Sequence, residues 1–459
     1  MRTGRVFVSV LAVLTALVGG CSGSTPDSGE TTVHGNWNGA IEVPGQPIPI
    51  GVSFAEDGSA TLDIPIQGLR DAPLKDVVAE PDKVEFALAD APGDPRFRGK
   101  LEGERITGDW TQSGQSAPLT LRRGKIENVA RPQDPKPPFP YRSEDVTYRS
   151  GDITIAGTLT EPEGPGPFPA VLMITGSGPQ DRNEELLGHR PFLVLADTLT
   201  RAGYAVLRTD DRGVGGTGGK LDDATYDTLA GDAAAGVAFL RERPEIDDAK
   251  VGLFGHSEGG YLAPLVAARP GSDIAFAILM AGPSVPGADV LIEQNKVIMA
   301  ASGAPQDKID QQVDYLTKWT AMLRAGDLEG ARVYSQQHNE SLPENERAPK
   351  EAVDSFNTAY MTSFMTFDPQ PSLRALRVPV LAFFGGKDLQ VPAAQSEGPM
   401  REALAGAPDP TVHTFPGLNH LMQPTETGNP SEYSSIEITI DPAVLTYVTD
   451  WLTRRVPPR

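Results

Sequence analysis

Residues 255–260 read GHSEGG, a Gly-x-Ser-x-Gly run with Ser257 at its centre and His256 directly beside it. A serine hydroxyl is a weak nucleophile until a base removes its proton, so the run carries chemistry only if a histidine can reach Ser257. The chain has six histidines. His34 lies in an N-terminal β-rich stretch, His338 in a helix-rich stretch, His189 ahead of a helix, and His413 inside an apolar strand that would fix its ring in a sheet. His256 is adjacent to the serine, and neighbours on a sharp turn send their side chains in different directions, which does not suit proton transfer. His420, in FPGLNH just after the last apolar run, is left as the candidate base. A base of this kind needs a carboxylate to orient it and to stabilise its cationic form. Asp388 in FFGGKDLQVP directly follows a core strand, with Gly385 and Gly386 permitting a tight loop; a turn aspartate capping the next helix is the alternative reading of that residue.

These side chains need a scaffold. KVGLFG (250–255) reads as a buried strand and EGGYLAPLVAAR (258–269) as a helix, so Ser257 falls on a strand-to-helix turn whose tightness requires small neighbours. Further apolar runs at 170–175, 205–209, 275–281, 378–385 and 411–416 have the continuous hydrophobicity of parallel strands covered on both faces. Between two of them, Tyr226, Leu229, Ala233, Val237 and Leu240 keep helical spacing. DVTYRS and ITIAGTLTEP read as a hairpin around Gly151-Asp152. Alternating strands and helices predict a mostly parallel sheet with helices on both faces, over residues 142–459. The stretch from about 284 to 372 breaks the alternation, is rich in helix formers, and is too long for a loop; it reads as an inserted helical cap.

The order Ser257, Asp388, His420 matches one known scaffold, and residues 145–455 resemble the α/β-hydrolase superfamily of serine hydrolases. The resemblance implies an oxyanion hole. One donor would be the backbone N–H of Glu258; the other would come from the loop TGSGPQDRNE, as the N–H of Ser177, with Gly178 as the alternative. Many members carry His-Gly where this chain has Thr175-Gly176. The GSGPQDRNE wording is similar to bacterial carboxylesterases that have an extra N-terminal domain. The resemblance therefore implies hydrolysis of a small-molecule carboxylic ester, with peptidase and thioesterase activity as alternatives, and a cap that shapes the pocket. TDDRGVGGTGG (209–219) lacks a phosphate-loop signature and resembles a structural segment of this superfamily, with Arg212 expected to hold nearby loops. No cofactor is expected, and no cluster of residues has metal-ligand spacing.

Upstream, residues 35–123 contain eight short β-rich runs separated by turn signals and read as a small closed all-β domain. GNWNG and ITGDW resemble the Gly-x-Trp strands of lipocalin-like and avidin-like barrels; this domain is either a spacer or a binder of an unknown ligand or partner. Residues 124–141 include PQDPKPPFP, read as a stiff extended linker. The first 20 residues have the charged, apolar and small-residue regions of a secretory signal, and VGGC resembles a lipobox that would make Cys21 the lipid-bearing N-terminus; a plain signal and secretion is the alternative. Residues 21–34 read as a flexible tether. A net charge of −21 disfavours nucleic acid as a partner. The reading from another class is a surface lipoprotein that binds through the β-domain and carries a degenerate hydrolase domain.

Overall fold

A computed structural model describes residues 32–458 except 43–47, 66–68, 90, 92, 113–114, 127–130, 344–346 and 349. The signal, Cys21 and nearly all of the tether lie outside the described residues. β1 (Gly35–Ile41), β2 (Ile48–Phe54), β3 (Ala60–Ile64), β4 (Leu69–Glu80), β5 (Lys83–Leu88), β6 (Arg96–Glu102), β7 (Arg105–Gln112) and β8 (Gln115–Arg123) form an antiparallel barrel. It closes where β1 meets β8, with Trp37 opposite Arg123 and Ile41 opposite Leu119. Alternation along each strand sends Trp37, Ile50, Leu62, Phe86 and Phe97 inward, all essentially fully buried. The Phe86 and Phe97 rings stack at 5.0 Å, and Trp37 Nε1 donates to Val33 O at 2.7 Å. Large side chains therefore fill the barrel as a packed core.

The proline-rich segment that follows is docked rather than free. Arg131 Nη1 donates to Ile436 O and its Nη2 to Leu187 O, and the Gln133 amide is bonded to the backbone at Thr439 and Ile440. Asp134 pairs with Arg190. The expected stiff linker is thus a strap on the second domain, because its few polar side chains find unpaired backbone groups there.

That domain is built on one eight-stranded sheet. β9 (Tyr141–Ser150) and β10 (Ile153–Pro162) make the hairpin expected from sequence, and β11 (Phe168–Ile174), β12 (Ala205–Thr209), β13 (Ile246–His256), β14 (Ala277–Met280), β15 (Val380–Gly385) and β16 (Pro410–Phe415) follow. The order is β16-β15-β14-β13-β11-β12-β10-β9, parallel from β12 to β16. α2 (Tyr226–Arg241), α3 (Gly259–Ala267) and α10 (Ala393–Ala403) cover one face through residues such as Val237, Tyr261 and Met400. α1 (Pro191–Arg201) and α11 (Pro442–Arg455) cover the other through Phe192, Leu199, Val444 and Trp451. Both faces are sealed, which is why the strands read as continuous apolar runs.

Between β14 and β15 the chain forms α4 (Gly287–Ala301), α5 (Gln306–Arg324), α6 (Leu328–Ser341), α7 (Lys350–Asp354), α8 (Ala359–Thr366) and α9 (Gln370–Ala375). The cap has its own small core of Leu316, Trp319, Leu323, Ala331 and Met365. It meets the sheet domain through α8 and the residue after it, where Phe364 and Phe367 lie against Tyr226 and Tyr261.

Candidate active site

Ser257 sits where β13 turns into α3, with φ +52, a left-handed conformation that a serine adopts only when its surroundings enforce it. Its N–H is tied to Met280 O of the neighbouring strand at 2.9 Å. Gly259 makes the turn possible: a Cβ there would lie 2.2 Å from Ile174 O and 2.9 Å from Thr175 O, both backbone atoms that cannot yield. The side chain is thereby lifted to the carboxyl ends of the strands, half-buried, with no hydrogen-bond partner for Oγ among the described residues.

His420 and Asp388 leave the ends of β16 and β15. His420 Nδ1 lies 2.8 Å from Asp388 Oδ2, and both residues are almost fully buried. The second Asp388 oxygen accepts from the N–H groups of Gln390 and Val391 at 2.8 and 2.9 Å. The aspartate thus anchors its own loop as well as the ring, and it does not cap the next helix, since α10 starts after Pro392 with no side-chain cap. The two loops touch closely: a Cβ on Gly385 would lie 2.4 Å from both Leu418 O and Asn419 O. His420 Nε2 has no partner among the described residues, and no hydrogen bond joins it to Ser257 Oγ in this structure, a contact that often tightens only with substrate bound.

His256 occupies a different position. Its Nδ1 lies 2.8 Å from Glu184 Oε1 and its Nε2 3.2 Å from His420 O, and the two imidazole rings sit 4.8 Å apart. Both nitrogens face acceptors, and only the doubly protonated ring satisfies both. Burial disfavours that cation, but the Glu184 carboxylate outweighs it and holds the His256 pKa above the ordinary histidine value. A ring with both nitrogens committed has no lone pair for a serine proton. Glu184 Oε1 also accepts from Gly176 N at 2.6 Å, so the Glu184–His256 pair braces three loops: the one after β11, the serine turn and the histidine loop.

The loop after β11 is held at almost every polar point. Thr175 Oγ1 donates to Asp211 Oδ1 and Gln180 N to Asp211 Oδ2, at 2.8 and 2.9 Å. Gly178 N donates to Tyr360 Oη at 2.9 Å. Among the described residues, the N–H groups of Ser177 and Glu258 have no acceptor, whereas Gly178, the alternative donor, is occupied. The Glu258 side chain is buried and accepts from Tyr226 Oη at 2.7 Å and Tyr360 Oη at 2.6 Å. Desolvation pushes its pKa up to about 7, against the opposing pull of the two tyrosine hydroxyls.

Residues 190–427 match the serine aminopeptidase S33 family of hydrolases, more than half of the chain. The chain belongs to that family. It is 28% identical over 349 residues to esterase EstD of Thermotoga maritima, covering 74% of this chain and 76% of EstD. Solved structures similar to it include an esterase of Pyrococcus furiosus (16% identity, 72% of this chain and 99% of that one, TM-score 0.45). A dienelactone hydrolase of Anabaena variabilis is another (17% identity, 69% and 99%, TM-score 0.38).

In this S33-family hydrolase the fold brings Ser257, Asp388, His420, Glu258 and Ser177 to one end of the sheet. Arg212 differs from its expected use: it is forked onto Asp232 of α2 at 2.6 and 2.9 Å. Its neighbours hold the loop after β11 instead, Asp211 through Thr175 and Gln180, and Asp210 through Arg182 at 2.7 Å. Glu184, Tyr226 and Tyr360 gave no sign of these roles in the sequence beyond Glu184 lying in the GSGPQDRNE stretch, since the partners that join them to the site, Gly176 apart, are 32 to 182 residues away.

Proposed function

We propose that this α/β-hydrolase cleaves carboxylic esters through an acyl-enzyme, with Ser257 as nucleophile, His420 as base and Asp388 as its orienting carboxylate. The observation that carries the reading is the contrast between two buried histidines: His256 has both nitrogens committed, whereas His420 has only Nδ1 held, by Asp388. Ser257 Oγ attacks the ester carbonyl carbon as its proton passes to His420 Nε2. The oxyanion forms against the N–H groups of Ser177 and Glu258. His420 then protonates the departing alkoxide. A water, deprotonated by the same nitrogen, attacks the acyl carbon and releases the acid and Ser257.

Thioesters and peptides use the same machinery. Ester over aminopeptide is favoured by the state of the carboxylates around the site: Asp388, Glu258 and Asp211 have both oxygens engaged by the protein's own donors, and Glu184 is buried with one oxygen held by His256 and Gly176 N–H. Recognition of a free α-ammonium needs an uncommitted carboxylate. The similarity to EstD points the same way.

A fluorophosphonate probe tests the reading. Wild-type protein is expected to be labelled and Ser257→Ala not; an unlabelled wild type, or equal labelling of both, overturns it. Matched ester, thioester and aminoacyl substrates then rank the three activities. We further propose that Cys21 carries a lipid anchor holding the enzyme on the outer face of a membrane, so that Cys21→Ser moves the protein from the detergent phase to the aqueous phase.

A further inference from the structure

The cap sends a polar side chain, that of Tyr360, to the centre of the site. Tyr360 lies in the first turn of α8, behind the Thr358 side chain that accepts from Met361 N, and is 5% exposed. Its hydroxyl accepts from Gly178 N at 2.9 Å and donates to Glu258 Oε2 at 2.6 Å. A hydroxyl has one proton to give, so this arrangement uses it fully in one direction: Gly178 N–H to Tyr360 to the Glu258 carboxylate. Tyr226 completes the carboxylate from the other side.

We infer that Tyr360 is a positioning residue through which the docked cap sets the oxyanion hole. The inference rests on the serine hydrolase reading above. In the loop after β11, Glu184 takes the Gly176 N–H and Tyr360 takes the Gly178 N–H, which leaves the N–H of Ser177 between them to face the substrate. Gly178 has φ +89 and open space where a Cβ would stand, so two hydrogen bonds hold that peptide: the buried Tyr360 hydroxyl on its N–H and the exposed Gln180 amide on its C=O at 3.1 Å. The other end of the same hydroxyl bonds to Glu258, whose N–H is the second donor. One cap atom therefore fixes both halves of the hole relative to each other. The site is complete only while α8 is seated, because without Tyr360 the Ser177–Gly178 peptide next to the donor loses the partner of its N–H.

Tyr360→Phe keeps the ring and its packing but removes both hydrogen bonds. An oxyanion donor acts in the transition state, so kcat for ester hydrolysis is expected to fall at least about tenfold with KM within about threefold, and fluorophosphonate labelling of Ser257 to slow in parallel. Tyr226→Phe is the comparison: it removes the other Glu258 hydroxyl without touching Gly178, and its loss of kcat is expected to be at least about threefold smaller than that of Tyr360→Phe. A folded Tyr360→Phe with unchanged kcat, or an equal loss in both variants, overturns the inference. Hydrogen exchange on wild-type protein needs no variant: phosphonylation of Ser257 is expected to slow exchange in residues 176–180 and in α8 together, and protection of the loop without α8 overturns the coupling. Failure of the parent reading shows separately, as wild-type protein that takes up no phosphonate.

Discussion

Replacing His256 by leucine separates a structural histidine from a catalytic one. The substitution leaves Glu184 with a buried negative charge whose only remaining partner among the described residues is the Gly176 N–H, since each side chain of the pair is 4% exposed and their contact is 2.8 Å. Removing one member of a buried ion pair costs about 3–5 kcal/mol. With an unfolding entropy of about 2.1 cal/mol/K per residue, a hydrolase unit of this size has about 0.7 kcal/mol/K, so the melting temperature falls by about 4–7 °C. Adding Glu184→Gln removes the stranded charge while keeping an acceptor for Gly176 N–H, and is expected to recover about half of the loss. The sign with pH follows from the raised His256 pKa: its contribution is fully present below the unfolded value and is lost as pH rises through the folded one. The gap between wild type and variant is therefore widest below the ordinary histidine value and narrows as pH rises through the raised one. Thermal melts over that range, with ester hydrolysis measured on the same samples, read all of this. A single variant melting within about 1 °C of wild type, or a double variant no more stable than the single, refutes the account of the pair. If His256→Leu abolished hydrolysis while His420→Gln preserved it, the assignment of the base would be wrong.

Two further outcomes follow from the same geometry. Asp388→Asn removes the acceptor that holds Nδ1–H of His420 and is expected to lower kcat by about 10³–10⁴-fold with little change in KM, measured by steady-state ester hydrolysis; a loss under about tenfold would mean that another group orients the ring. Gly259→Ala drives a methyl into Ile174 O and Thr175 O, so at least about 1–3 kcal/mol of stability and most Ser257 labelling should be lost; a wild-type melt with wild-type labelling contradicts the tight turn.

Much of the architecture was legible because the signals are local. Eight β-rich runs became the eight barrel strands, and the continuous apolar runs became the parallel strands, since a strand buried on both faces has no polar side to alternate. The helical cap was visible as the place where that pattern stopped. Ser257, Asp388 and His420 could be nominated because each follows a strand, and parallel strands deliver whatever follows them to one edge of the sheet. The linker was misjudged in one respect: proline content reports stiffness, but it carries no information about the unpaired backbone at 434–440 that Arg131 and Gln133 grip.

The sequence by itself determined the two-domain plan, the strand-to-helix turn at GHSEGG and the three side chains that share its edge, through hydrophobic period, small residues and chain order. The tertiary structure decided what those side chains touch. It committed both nitrogens of His256 to Glu184 and the His420 carbonyl, left the Ser177 N–H without an acceptor among the described residues while occupying that of Gly178, and brought Tyr360 from a cap helix onto the carboxylate of Glu258. Hydrogen bonds between residues far apart in the chain depend on where whole elements dock, and no local pattern records that.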